Sequence, residues 1–499
     1  AIDYSLFVVS RFREQQAAGD DIESSVRTTI NTAGRTVAFS ALTVAVSLAA
    51  LLVFPLYFLR SFAYAGVVVV LVAALAAIVS LPAVLVILGP RVDKGRIRRK
   101  ETTPAGGGFW HGVATTVMRR PITIAAVVTT ALILLGLPFL SVDFGLPDER
   151  VLPAGAESRT VSETLADEFS ADEGAAFPIV APSITDPAII DAYAAEISAV
   201  SGVGRVDAIT GSYAAGSLVA PPSPATARFE NATGTWLSVV PSVVPVSPEG
   251  EQLVHDLRSM EPGFETLVGG ASANLVDTKA AISSRLPAAI AIIAVATFVL
   301  LFMMFGSILV PLKALLLNTL SLTATFGAMV WIFQEGHGAG LLGFTASGTT
   351  DVAMPILMFC IAFGLSMDYE VFLLSRIKEE HDRTGDNDTA VALGLERTGG
   401  IVTAAAALLA ITFLAFGTSS VTFMKMFGLG LALAVVMDAT IVRATLVPAF
   451  MKLAGEANWW APAPLRRFHD RFGISETTDD TTGPGIDHPR LHPEPVTMR

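Results

Sequence analysis

Gly364-Leu365-Ser366-Met367-Asp368-Tyr369-Glu370-Val371-Phe372-Leu373-Leu374-Ser375-Arg376 closes an apolar run spanning 352–374. A helix of that length crosses the ~30 Å hydrocarbon core of a bilayer. Asp368 then lies about seven residues inside the end of its span, roughly 10 Å deep at 1.5 Å per residue. A carboxylate at that depth is costly, and its default reading is functional. Tyr369 follows it with a phenolic donor. The plain alternative is a snorkelling or capping acid near a span end.

The same pattern occurs twice. Asp3-Tyr4-Ser5-Leu6-Phe7-Val8-Val9-Ser10-Arg11 aligns with residues 368–376, with Asp, Tyr, Phe, Ser and Arg identical. In the same register Glu14 meets Glu379, Gly34 meets Gly399 and Phe62 meets Phe427; one residue of drift sets Leu81-Pro82 opposite Val447-Pro448. Both copies place Arg after the first helix, so both run the same way. A same-sense repeat implies halves related by an axis along the membrane normal. Helices near such an axis can face one another, so each Asp can meet the opposite Tyr. Four polar groups are then satisfied together, as a proton-binding centre.

Working outward, only 16% of the 499 residues are charged and the mean hydropathy is +0.60. A soluble domain carries about 25% charge, so a single soluble enzyme is excluded and a polytopic α-helical membrane protein is expected. Full spans are read at 36–57, 62–88, 121–140, 286–305, 311–333, 352–374, 401–417 and 426–453. The chain's start reads as the broken end of a further span. By symmetry, three spans and an external domain would precede it. The organisation expected is 1–90 as the end of a first transmembrane half, 91–120 as a basic cytoplasmic linker and 121–140 as one span. An external domain at 143–285, a five-helix bundle at 286–453 and a disordered cytoplasmic tail at 454–499 follow.

Orientation follows from Arg and Lys near the helix ends of 11–35, 91–120 and 376–397, which place these loops in the cytoplasm. The insert 143–285 holds 7 basic against 20 acidic residues and belongs outside. Its strands at 177–184, 204–210, 235–244 and 265–268, with helices at 186–200 and 247–259, read as β-α-β-β-α-β, a ferredoxin-like α+β unit. A net charge of −12 argues against nucleic acid, which needs clustered Lys and Arg.

Asp438 and Arg443 share the last span. Five residues correspond to about 140° on an α-helix, so they are expected on different faces. They are read as a structural or coupling ion pair formed through other helices. Asn318, Thr403 and Thr412 read as helix–helix hydrogen-bonding groups; Glu335, His337 and Asp351 read as a solvated external loop. His111 and His255 lack metal-ligand spacing. With one cysteine, Cys360, no Cys-rich metal site is expected. No phosphate-cradling Gly-rich loop precedes a Lys-Ser/Thr pair, so ATP is not expected as the energy source; no cofactor is read from the sequence.

Residues 364–376, their echo at 2–11, Asp438-Ala439-Thr440-Ile441-Val442-Arg443 and Arg150-Val151-Leu152-Pro153 resemble the MmpL family of the resistance–nodulation–division superfamily. The resemblance implies a twelve-span, proton-driven exporter of lipids or other hydrophobic molecules in a bacterial cytoplasmic membrane, with two periplasmic porter-like domains. It also implies that Asp3, Tyr4, Asp368 and Tyr369 form the proton relay. The partners implied are membrane lipids, a hydrophobic or lipid substrate and protons; a homo-oligomer or accessory proteins are left open.

Two other classes stay in view. Paired buried carboxylates also suit an intramembrane aspartyl protease, although 364–368 lacks the second Gly of a Gly-x-Gly-Asp motif. A lipid- or sterol-sensing module would keep the fold without needing the acids.

Overall fold

The structure is a computed structural model and describes residues 2–93, 107–168, 174 and 176–473. Among them, eight helices are long and apolar enough to cross a membrane. They are α2 (Ile22–Val53), α3 (Tyr57–Leu88), α5 (Pro121–Ser141), α9 (Ala271–Phe305), α10 (Leu309–Gln334), α11 (Met354–Thr384), α12 (Asn387–Gly417) and α13 (Thr422–Trp459). Helix α1 (Ile2–Ala18) precedes them, and α4 (Phe109–Arg119) lies before α5.

Several helices outrun the apolar stretches that announce them, because charged side chains are good helix formers once outside lipid. Helix α11 continues through Arg376 and Lys378 until Gly385, whose φ of +69° forms a left-handed C-cap. One residue on, Asp386 accepts the Thr389 backbone N–H and starts α12. Helix α9 begins at Ala271, so 271–285, expected as the end of the insert, opens one 35-residue helix that runs on into the bundle. Its first turns still pack on the insert, through Ala273 and Val276 in that domain's core and Lys279 on Glu251. At 1.5 Å per residue the helix is about 50 Å long, well beyond one bilayer core. Helices α5 and α10 touch backbone to backbone: a Cβ on Gly327 would collide with the Leu135 carbonyl. Small residues permit such approaches in membrane bundles.

The insert carries a six-stranded sheet. Its strands are β2 (Phe177–Ala181), β3 (Val203–Ala208), β4 (Gly211–Ala214), β5 (Ser217–Ala220), β6 (Thr235–Pro241) and β7 (Leu267–Val268), in spatial order β5-β4-β3-β6-β2-β7. All neighbours are antiparallel. Helices α7 (Pro187–Ser198) and α8 (Pro248–Ser259) bury Ile190, Ile197, Leu253 and Leu257 with Ile179 and Val239 of the sheet. Asp186 and Ser247 cap their N-termini. The β4–β5 hairpin is additional to the expected strands. Its two-residue turn, Ala215-Gly216, has φ +47° and +78°, and an alanine there hides the turn signal that Asn-Gly would give. Helix α6 (Glu157–Glu168) was likewise unexpected. Strand β1 (Phe144–Gly145) pairs in parallel with β8 (Thr350–Asp351), tying the start of the insert to the α10–α11 connection.

Two expected segments differ. The linker 91–120 includes helix α4, and the tail read as disordered from 454 carries α14 (Ala463–Phe472). The basic cluster at 94–100 and the tail beyond 473 lie outside the described residues.

Candidate functional site: two acid–phenol pairs within the bundle

Helices α1 and α11 lie side by side and run in the same direction. On each, a Tyr, a Phe and an Arg spaced i, i+3 and i+7 share one face. Tyr4, Phe7 and Arg11 therefore confront Tyr369, Phe372 and Arg376. The Tyr4 hydroxyl donates to Asp368 Oδ2 at 3.2 Å, and the Tyr369 hydroxyl donates to Asp3 Oδ2 at 3.1 Å. One turn along, the rings of Phe7 and Phe372 pack at 4.2 Å between centroids. Beyond them, Arg11 meets Glu379 at 3.1 Å and Arg376 meets Glu14 at 2.6 Å. Each Arg also bonds the Glu of its own helix, at 3.0 and 2.6 Å. All four sequence-selected residues of the centre are thus brought together, each acid on the opposite phenol.

The two acids differ in their surroundings. Asp368 is 5% exposed and takes a second hydroxyl, as Ser40 of α2 donates to its Oδ1. Asp3 is half-buried beside Tyr369. Sequence reasoning missed Ser40, since a serine in an apolar run carries no signal of its own.

Asp438 and Arg443 pair directly, correcting the expectation that they occupy different faces. Arg443 Nε donates to Asp438 Oδ2 at 2.9 Å. The cause is local: Met437–Leu446 is π-helical, and i→i+5 hydrogen bonding brings residues five apart nearly into line. The guanidinium also reaches Glu370 Oε2 at 3.2 Å and the Ser366 carbonyl, and lies 5.6 Å from the centroid of the Tyr369 ring. Lys313 of α10 approaches Glu370 Oε1 at 3.7 Å. Arg443, Asp438, Glu370 and Lys313 are all at most 6% exposed. Two cations and two carboxylates balance in charge, as burial demands. Glu370 and Lys313 were also missed. Glu370 was legible as a second acid beside Asp368, and Lys313 as a lone cation in the run 311–333.

Other expected roles resolve individually. Asn318 Nδ2 donates across to the Phe363 carbonyl at 3.4 Å. Thr403 and Thr412 instead bond carbonyls of their own helix, at 2.7 and 2.9 Å. Asp351, expected in a solvated loop, is half-buried and accepts the Ala353 and Met354 backbone N–H groups at 3.0 Å each. Burial raises its carboxyl above the usual range. Among the described residues no group of His, Cys, Asp and Glu could hold a metal ion.

A separate cavity of about 610 Å3 opens where the insert meets the bundle. Phe54, Phe139, Ile293, Phe326 and Phe359 make it apolar, and Glu251, His255 and Lys279 supply polar groups. Lys279 is held by Glu251 at 2.6 Å. A large apolar cavity with a few polar groups is the usual form of a site for a hydrophobic ligand.

Comparison with known proteins adds three relatives and a family model. The model described as the MMPL family matches residues 1–124 and 249–474. A membrane protein of Streptomyces coelicolor is 40% identical over 95% of this chain and 64% of its own length. The trehalose monomycolate exporter MmpL3 of Mycolicibacterium smegmatis is 35% identical over 96% of this chain and 50% of its own. The mycolic acid-containing lipids exporter MmpL11 of the same organism is 32% identical over 93% of this chain and 48% of its own. The chain therefore spans about half to two-thirds of the length of the curated relatives it matches. Among solved structures, SecDF in its super-membrane-facing form aligns at a TM-score of 0.48 with 14% identity, over 91% of this chain and 52% of that one.

Proposed function

The chain belongs to the MMPL family, and on that premise we propose that the whole protein is a proton-driven exporter of lipids or other hydrophobic molecules, with the acid–phenol pairs as its proton relay. The observation that carries this reading is the reciprocal contact of Tyr4 with Asp368 and Tyr369 with Asp3. Both acids are met by hydroxyls, whereas the neighbouring Asp438 and Glu370 are met by cations. An acid held by hydroxyls can lose its charge without leaving a buried cation unpaired.

The coupling is local. An ionised Asp368 can only accept from Tyr4 and Ser40; a protonated one also donates. The switch forces a hydroxyl to reorient between α1, α2 and α11, and so biases how these helices pack. A charge that crosses the membrane potential supplies about 2.3 kcal/mol per 100 mV. The duplicated sequence supports halves related by a pseudo-two-fold axis along the membrane normal. The strand order supports a ferredoxin-like, porter-like insert, and the acidic insert and basic loops support placing it outside a bacterial cytoplasmic membrane. The apolar cavity beneath the insert is the cargo's place of entry in this reading.

Asp368→Asn in the full-length protein tests it. Export is expected to stop while membrane insertion and thermal stability are retained; normal export would refute the proposal. Two of the relatives, MmpL3 and MmpL11, are named as exporters, which favours transport over an intramembrane aspartyl protease or a sensing module. Cleavage of single-span peptides by purified protein would favour the protease, and lipid binding indifferent to Asp368 the sensor.

A further inference from the structure

Helix α14 carries an apolar face left bare by the described residues. In Ala463-Pro464-Leu465-Arg466-Arg467-Phe468-His469-Asp470-Arg471-Phe472, an advance of about 100° per residue gathers Leu465, Phe468 and Phe472 within a sector of about 60°. These side chains are 39%, 46% and 52% exposed. His469 and Arg471 flank that sector, and Arg466, Arg467 and Asp470 occupy the far side, so beyond His469 the polar residues are three cations and one anion.

The helix is tethered by an edge. The His469 ring lies 6.1 Å from that of Phe302, and a Cβ on Gly306, where α9 ends, would sit 3.0 Å from it. The lead-in is fixed as well: Ser307 Oγ donates to the Asn458 carbonyl at 2.5 Å and the Ile308 N–H to the Trp460 carbonyl at 3.4 Å. Helix α14 thus hangs under the α9–α10 turn, at the level where α9 leaves the apolar layer. Val295 and Val299 of α9 stay 62% and 46% exposed, as lipid-facing residues of a peripheral span do. Trp460, 61% exposed, stands at the same level.

We propose that α14 is an interfacial anchor lying along the bilayer surface, with Leu465, Phe468 and Phe472 among the acyl chains and Arg466, Arg467 and Arg471 on anionic lipid headgroups. A short helix with aromatic residues on one face and arginines on the other is suited to the headgroup–acyl boundary, and net positive charge selects anionic lipid. That this surface is the cytoplasmic one rests on the orientation proposed above. The lipid contact itself does not, because a nanodisc presents both surfaces.

The chain is tested in nanodiscs, with Cys360→Ala removing the buried thiol and a fluorophore attached at Phe468→Cys, Leu465→Cys or Asp470→Cys. In discs containing phosphatidylglycerol, nitroxide-bearing lipid is expected to quench the labels at 465 and 468 at least about twofold more than aqueous iodide does, with the reverse at 470. Substituting Arg466, Arg467 and Arg471 by Gln, or using phosphatidylcholine alone, should lower lipid quenching by about half. Labels at 465 and 468 that answer to iodide would overturn the proposal. So would labels shielded from both quenchers, which would mean that protein covers the face. Lipid quenching indifferent to both charge changes would overturn the role of the arginines.

Discussion

Tyr4 and Asp368 stand 364 positions apart and are joined by a 3.2 Å hydrogen bond inside the bundle. Its counterpart, Tyr369 to Asp3, is 3.1 Å long. If each bond matters only as part of one centre, breaking either disables the whole. Tyr4→Phe and Tyr369→Phe should each reduce export in the full-length protein, and the double variant should be little worse than either. Export rates in a double-mutant cycle check this: additive losses mean independent sites.

Ser40 distinguishes the two acids, because it donates to Asp368. Ser40→Ala leaves Asp368 with Tyr4 as its donor. Losing one buried hydrogen bond costs about 1–3 kcal/mol, so export should fall by about fivefold or more. Membrane insertion should be unchanged, and an export assay normalised to inserted protein measures the difference.

Arg443 holds both Asp438 and Glu370. Arg443→Met would leave two buried carboxylates with only Lys313 nearby. Removing one member of a buried ionic network destabilises by about 3–5 kcal/mol. Thermal unfolding in detergent should show a marked loss, and Arg443→Lys a smaller one, since a lysine cannot span both acids as a planar fork does.

Much of this centre was legible because it is written twice. An Asp-Tyr pair recurring in register at 3–4 and 368–369 specifies both the helices and the crossed contacts. Asp438 and Arg443 were legible as an ion pair, but not as one formed directly along their own helix, because the π-helical turn that aligns the two residues leaves no mark in their spacing. Ser40 was hidden by its ordinary chemistry. In the insert, the capped helices α7 and α8 were readable from Asp186 and Ser247. The β4–β5 hairpin was not, because Ala215 adopts a positive φ that its side chain does not advertise. Helix α14 sits in a stretch whose prolines and charges resemble an unfolded tail, and its 3.6-residue pattern is only ten residues long.

Close approach of α5 and α10 makes a further prediction outside the polar centre. Gly327→Ala drives a methyl group into the Leu135 carbonyl. Overpacking of this kind costs about 1–3 kcal/mol. The thermal unfolding midpoint in detergent should drop, while Gly112→Ala, with nothing within 4 Å of the new methyl, should be tolerated.

The central claim is that Asp368 takes up and releases a proton between Tyr4 and Ser40. Difference infrared spectroscopy on the full-length protein in lipid, titrated through neutral pH, reads this directly from the carboxylic-acid C=O stretch. A titrating band that shifts in D2O and disappears in Asp368→Asn is the predicted result. A spectrum in which Asp368→Asn leaves every titrating carboxyl band in place would contradict the account.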